Sequence, residues 1–145
     1  MCQRVYIASR SPLPSLKRSH GAPRLEISRL SKGANGVRRW FSREAKNFAE
    51  VRGSSACGCG FPELSDDRPE RFVSDEDVDA VKALTAYLEK LPGQKYVAEL
   101  LLCWIGDEDE RPQQNREIGL EALKRTGFRF RRGEIVRVRA GDPNV

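Results

Sequence analysis

The sequence has little histidine, few cysteines and no long apolar run, and each shortage narrows the choice of function. His20 is the only histidine, so a histidine-based catalytic triad has no second candidate, and its proline- and glycine-flanked position is more typical of a loop residue than of a metal ligand. No apolar segment approaches the roughly 18 residues of a membrane helix, and the first residues contain no apolar core of a signal peptide. The four cysteines do not form two pairs at the spacing of structural zinc sites. We therefore expect a soluble, cytoplasmic protein with reduced cysteines.

The length of 145 residues suits one domain, and we expect residues 1–145 to fold as a unit. A chain of this size buries roughly 68 to 70% of its unfolded surface and does not depend on disulfides. The first 25 residues contain basic residues and serines but no acid, as organelle transit peptides do. Pro12, Pro14 and Pro23 disfavour the amphipathic helix that such a peptide forms.

Charge is distributed unevenly along the chain. Residues 1–52 carry a net charge of +9, residues 53–110 carry −9, and residues 111–145 carry +5. Basic and acidic segments of one chain can neutralise each other on folding, so the basic ends are weak evidence for nucleic-acid binding.

A pair of cysteines, Cys57 and Cys59, lies in the glycine-rich stretch SSACGCGF at residues 54–61. Glycine permits a tight turn, which would bring two sulfurs and several backbone amides to one point. Such a point suits a metal ion, an iron–sulfur cluster or a reactive thiol. The alternative is a glycine turn with two buried thiols, because free cysteine also behaves as a small hydrophobic residue.

Hydrophobic periodicity predicts a sheet and one long helix. The helix begins at Ser74, an N-cap residue, carries apolar residues at helical spacing and ends before Pro92-Gly93. Residues 96–105 form an almost uninterrupted apolar run that is typical of a central strand covered on both faces. Further strands are predicted at residues 5–8, 25–30 and 47–52, with residues 128–139 closing the chain and residues 135–138 as an edge strand. The fold class is therefore α+β or α/β, with a mixed sheet of about five strands, one long helix (Ser74–Leu91) and one or two short helices.

This order of elements predicts where the cysteines meet. If the strands at residues 47–52 and 96–105 are parallel, a right-handed crossover places their carboxyl ends at one edge of the sheet. Cys57 and Cys59 would then lie near Cys103 and the acidic loop at residues 106–110. Cys2 joins them only if the first strand is antiparallel; if it is parallel, Ser9 and Arg10 arrive instead. As alternatives, Cys103 and Trp104 are core residues and the loop is a solvated acidic run rather than a set of oxygen ligands for Mg²⁺ or Ca²⁺.

Two resemblances accompany these motifs. Residues 57–60, CGCG, resemble the signature of the A-type iron–sulfur carrier proteins, which hold iron or a cluster with a third cysteine farther upstream; here Cys2 is the only upstream cysteine. The combination of the start at residues 2–8, the CGCGF turn and the segment CWIGDE at residues 103–108 resembles small uncharacterised bacterial proteins. That resemblance implies a compact bacterial domain and brings no activity with it.

Three functions are compatible with the sequence. The first is a metal or iron–sulfur protein that binds zinc or iron through Cys57, Cys59 and Cys103, with Cys2 or a carboxylate as the fourth ligand. The second is a protein- or nucleic-acid-interaction module with structural cysteines, in which the basic strands of residues 128–139 with their phenylalanines contact nucleic acid. The third is a thiol-redox enzyme in which Cys57 or Cys59 is the attacking thiolate. None of these patterns decides whether the protein is an enzyme.

Overall fold

Alternating apolar residues build a six-stranded sheet at the centre of the structure. The computed structural model describes residues 3–17, 25–53, 63–64, 75–92, 95–104, 106–125 and 130–140. The main sheet contains β1 (Gln3–Ser9), β2 (Glu26–Arg29), β3 (Asn47–Arg52), β5 (Tyr96–Trp104), β6 (Gln114–Gly119) and β8 (Glu134–Arg139). Two short strands, β4 (Glu63–Leu64) and β7 (Phe130–Arg131), pair in parallel as a second sheet. The helical elements are a 3₁₀ helix (Lys32–Trp40), α1 (Asp75–Glu89) and α2 (Leu120–Lys124).

The strand order of the main sheet is β2-β3-β1-β5-β8-β6. β1 is antiparallel to both of its neighbours, β3 and β5. β3 and β5 therefore run parallel to each other with β1 between them, and β1 begins at the sheet edge where those two strands end. The opposite edge collects the end of β1, the start of β5 and the end of β8, because β8 is antiparallel to β5.

The two faces of the sheet carry separate apolar cores. On one face, Leu84 and Leu88 of α1 pack against Val5 and Ile7 of β1 and against Leu100 of β5. Each of these five side chains is fully buried, and burying such a side chain stabilises the fold by about 1.5–3 kcal/mol. α1 is thus held mainly by its apolar stripe, which faces the sheet.

The opposite face is covered by the 3₁₀ helix. Ala34 and Val37 of this helix pack against Tyr6 of β1 and against Leu101 and Cys103 of β5. The structure therefore has α1 on one side of the sheet and the 3₁₀ helix on the other. In the part of the chain that the structure describes, no helix is both long enough and apolar enough to cross a bilayer.

The expected mixed α+β fold is confirmed, and several details differ. The main sheet has six strands rather than about five. The single long helix is not confirmed, since α1 is joined by a second helical segment, the 3₁₀ helix of nine residues. The predicted edge strand at residues 135–138 is wrong, because β8 lies between β5 and β6. Strict alternation along β5 would put Val97 on the face of Cys103, but a register shift between Tyr96 and Ala98 places Val97 in the α1 core.

Candidate functional site

Three of the four predicted cysteine ligands lie outside the described residues. These are Cys2, Cys57 and Cys59, and His20 is likewise outside them. The description of the chain stops at Gly53, just after β3, and resumes at Glu63. The direction of β1 is nevertheless established: β1 is antiparallel to β5. This is the direction in which Cys2 was expected to lie near the other predicted cysteine ligands.

Cys103 is a buried core thiol. It packs with Tyr6, Leu101 and Ile135 on the 3₁₀-helix side of the sheet. Burial raises the pKa of this thiol to about 12, and the negative charges of Glu108 and Asp107 act in the same direction. The thiol is therefore protonated at neutral pH, as expected for a structural cysteine and not for a nucleophile.

Hydrogen bonds within the protein hold the acidic loop at residues 106–110 in place. Glu108 is buried, and its carboxylate accepts hydrogen bonds from the Tyr6 hydroxyl at 3.1 Å and from the Gly106 backbone N–H at 2.8 Å. Gly106 adopts a φ of 107°, which a side chain would strain. The indole N–H of Trp40 donates to the Glu108 carbonyl oxygen at 2.8 Å. Within the described ranges, no group of three or more His, Cys, Asp or Glu residues is arranged to hold a metal ion.

Of the phenylalanines proposed for nucleic-acid stacking, the structure describes Phe130. Phe130 is buried in the core on the α1 side of the sheet. Phe128 lies outside the described residues. Stacking by an aromatic ring requires an exposed face, so Phe130 does not supply it.

A different feature, a cleft of about 780 Å³, lies at the edge where β1 ends and β5 begins. One wall is formed by residues 8–12, which complete β1 and the turn after it, and another by residues 42–45, which follow the 3₁₀ helix. The remaining lining residues are Pro92 and Lys95, which precede β5, the start of β5 itself, and Arg137 of β8.

Hydrogen bonds fix the backbone around this cleft. The Ser9 hydroxyl donates to the Val97 carbonyl at 2.8 Å, which joins the end of β1 to the start of β5. The Ser11 hydroxyl donates to the Pro92 carbonyl at 3.1 Å, and the Lys46 N–H donates to the Ser9 carbonyl at 3.0 Å. The walls are therefore connected to one another and form a preorganised concave surface.

The cleft is lined by more positive than negative side chains. Among the described residues that line it, four cations come from four separate segments, whereas two residues, Glu44 and Glu99, carry carboxylates. The cationic residues are Arg10, Arg43, Lys95 and Arg137. Among the residues that the structure describes, neither Arg43 nor Lys95 forms an ion pair. The uncompensated charge at the cleft is therefore positive.

Glu99 organises the floor of the cleft. This buried carboxylate accepts hydrogen bonds from the Ser42 hydroxyl at 2.8 Å and from the Ser42 N–H at 3.2 Å. Its other oxygen lies 3.5 Å from Nη2 of Arg137. The Arg137 guanidinium also lies over the Tyr96 ring, 5.0 Å from the centroid. Burial opposes the charge of Arg137, yet contact with Tyr96 and the charge of Glu99 outweigh it and raise the pKa.

The sequence interpretation missed this cleft, although a signal was present. Arg10 follows β1, Lys95 precedes β5 and Arg137 lies near the end of β8. These positions meet at one edge only when β1 and β8 are both antiparallel to β5, and the sequence pattern did not give those directions. Ser9 and Arg10 had been considered for the cysteine edge, and the antiparallel direction of β1 puts them at the opposite one.

Comparison of the chain with protein-family models, with curated proteins and with solved structures found no match.

Proposed function

We propose that this protein binds a small anionic ligand in the cleft between the end of β1 and the start of β5. The observation that supports the proposal is the convergence of cationic side chains from four separate segments on one concave surface. A volume of about 780 Å³ lies within the size range of small-molecule sites. A cleft with excess charge of one sign raises the local concentration of oppositely charged ligands.

The carboxylates of the cleft do not cancel this excess. Glu99 is buried and already engaged by Ser42 and Arg137. Glu44 is exposed, where its interactions are screened by solvent and salt. Arg43 and Lys95 therefore remain available to a carboxylate or phosphate group that enters from solvent.

Thermal unfolding with added inorganic phosphate, pyrophosphate or citrate tests the proposal. A ligand present at about 100 times its dissociation constant adds roughly 2.7 kcal/mol of stability, which raises the melting temperature of a domain of this size by about 5–10 °C. The double variant R43A/K95A should lose most of this shift. Arg111→Ala is the matched control, because Arg111 is an exposed arginine in the segment after β5, beyond the opposite edge of the sheet. An equal loss in Arg111→Ala, or no shift with any of these anions, would contradict the proposal.

A second candidate function is metal or iron–sulfur binding through the cysteines, and the direction of β1 favours it. β1 begins at the edge where β3 and β5 end, and in the sequence Cys2 directly precedes β1 while Cys57 and Cys59 closely follow β3. Cys103 would have to lose a proton that burial holds firmly before it could act as a ligand.

Metal analysis of freshly purified protein tests this second function and its ligands separately. Zinc or iron should be present at about one site per chain and should be lost in C57S/C59S. Cys103→Ala decides whether Cys103 belongs to the ligand set, since metal retained in that variant restricts the set to the other cysteines. A metal-free preparation in which all thiols react with a thiol reagent after unfolding would contradict metal binding.

A further inference from the structure

Arg137 differs from Arg43 and Lys95 because a buried carboxylate as well as an aromatic ring holds its side chain, while part of it stays accessible. Its guanidinium lies over the Tyr96 ring, 5.0 Å from the centroid, and its Nη2 atom is 3.5 Å from Oε1 of Glu99. The side chain retains 42% of its exposure. Lys95 shares only the ring, with its Nζ atom 5.4 Å from the Tyr96 centroid. Arg43 and Lys95 are exposed residues at the rim of the cleft, and neither has a carboxylate partner in the described part of the chain.

The contact with Glu99 orients Arg137 without saturating it. A tight arginine–carboxylate pair brings the donor and acceptor atoms to about 2.7–2.9 Å, often through two parallel hydrogen bonds. The closest approach here is 3.5 Å, which leaves N–H donors of the guanidinium fork for another acceptor. Glu99 is itself fixed by the Ser42 hydroxyl at 2.8 Å, so the orientation of the guanidinium is set before a ligand arrives.

We propose that Arg137 is the recognition residue of the cleft, that Glu99 positions it, and that the ligand is a small dianion. One carboxylate or phosphate group of the ligand binds the guanidinium fork of Arg137, and a second negative charge lies between Arg43 and Lys95 at the rim. Among the described residues, Arg43 and Lys95 line the cleft without a carboxylate partner, so a ligand with two anionic groups can contact the guanidinium fork and the rim at the same time. This inference depends on the proposed function, because it names the ligand class of the same site.

The test compares Arg137→Lys with Arg139→Lys. Both substitutions keep the positive charge and remove the planar fork, and both residues lie on the same face of β8. Arg139 does not line the cleft and pairs with Glu117 at 3.2 Å. We expect Arg137→Lys to weaken binding by at least about tenfold, as for loss of a charge-assisted bidentate contact. Arg139→Lys should bind as the unchanged protein does.

Calorimetric titration with succinate, glycerol phosphate and acetate identifies the ligand chemistry. Succinate and glycerol phosphate offer two negative charges from carboxylates and from phosphate respectively, and acetate offers one. Tighter binding of either dianion than of acetate supports the inference, and the preferred dianion identifies the anionic group. Equal binding of acetate and both dianions would overturn it.

Coupling between residues tests the positioning role of Glu99. Glu99→Gln should weaken dianion binding, and the double variant E99Q/R137K should bind about as well as Arg137→Lys alone, since Glu99 acts through Arg137. Fully additive losses would contradict that role. If Arg137→Lys binds dianions normally while R43A/K95A does not, this inference fails and the proposed function stands. If the unchanged protein binds none of the anions, both fail.

Discussion

Replacing Glu50 with alanine should destabilise the protein far more than removing a similar ion pair at the surface. Glu50 lies on β3 with only 1% of its side chain exposed, and its carboxylate is 3.1 Å from Arg4 and 3.6 Å from Arg52. The Ser31 N–H also donates to it at 2.8 Å. Removing one partner of a buried pair leaves an uncompensated charge and costs about 3–5 kcal/mol, a large share of the roughly 5–15 kcal/mol that stabilises a domain.

Urea unfolding measures the effect, and Glu117→Ala provides the matched control. Glu117 also pairs with a strand arginine, Arg139, at 3.2 Å, but 43% of its side chain is exposed. Exposed pairs contribute about 0–1 kcal/mol. Glu50→Gln keeps the shape and one acceptor, so it should cost about 2 kcal/mol and remain measurable if Glu50→Ala does not fold. A change in the free energy of unfolding below about 1 kcal/mol for Glu50→Ala, or equal changes for both alanine variants, would refute the reasoning.

Four further measurements test the packing. The pKa of Cys103 is raised from 9.0 to about 12, so between these pH values the folded state keeps a proton that the unfolded chain releases. This group should therefore lower the free energy of unfolding by about 1.4 kcal/mol per pH unit between pH 9 and pH 12. The fall should be shallower in Cys103→Ala. Below pH 9, the native Cys103 thiol should resist iodoacetamide and react only after unfolding, so rapid native alkylation would contradict its burial. Trp40→Phe removes the hydrogen bond to the Glu108 carbonyl and should lower the free energy of unfolding, measured in urea, by about 1 kcal/mol. An unchanged free energy of unfolding would show that this hydrogen bond makes no net contribution to stability. Leu84→Ala should lower the free energy of unfolding by about 2–5 kcal/mol because Leu84 is fully buried. Lys82→Ala, on the exposed side of α1, should change it by less than about 0.5 kcal/mol. Similar values for the two variants would contradict the packing of the Leu84 face of α1 against the sheet.

Helices and strands whose apolar pattern depends on burial alone could be predicted from the sequence. The apolar run of β5 gave a central strand because seven of its nine residues are buried, and the helical spacing of Leu84 and Leu88 gave α1. Strand order and direction depend on contacts between distant segments. β8 was expected at an edge because its sequence alternates apolar residues with arginines. It lies inside the sheet because β6 covers its outer side, and Arg137 and Arg139 project from the face opposite α1.

The register shift at the start of β5 shows a second limit of pattern reasoning. Strict alternation assigns Val97 and Cys103 to one face, since successive strand residues point to opposite sides. One irregularity between Tyr96 and Ala98 breaks that alternation and places Val97 and Ala98 in the same core. No residue type in this short stretch marks the shift, so only the paired strands reveal it.

The candidate sites were harder to predict because each depends on which ends of the strands meet. The sequence identified the cysteines by their spacing, whereas the basic cleft has no local motif. Its cations belong to four separate segments, and they become a site only through the antiparallel directions of β1 and β8. Conversely, Glu108 was considered as an oxygen ligand because it belongs to an acidic run, but its carboxylate is used internally by Tyr6 and Gly106.

The topology also separates the two proposed chemistries. Cys103 lies four residues after Glu99, the last residue of β5 that lines the cleft, which corresponds to about 13 Å along an extended strand. Cys103 is buried and does not line the cleft, so a ligand bound at Arg43, Lys95 and Arg137 does not contact it. Because residues this far apart without shared partners act independently, cysteine substitutions should leave anion binding unchanged and cleft substitutions should leave metal content unchanged. If one set of substitutions abolished both properties while the protein stayed folded, the two edges would have to be coupled through the sheet between them.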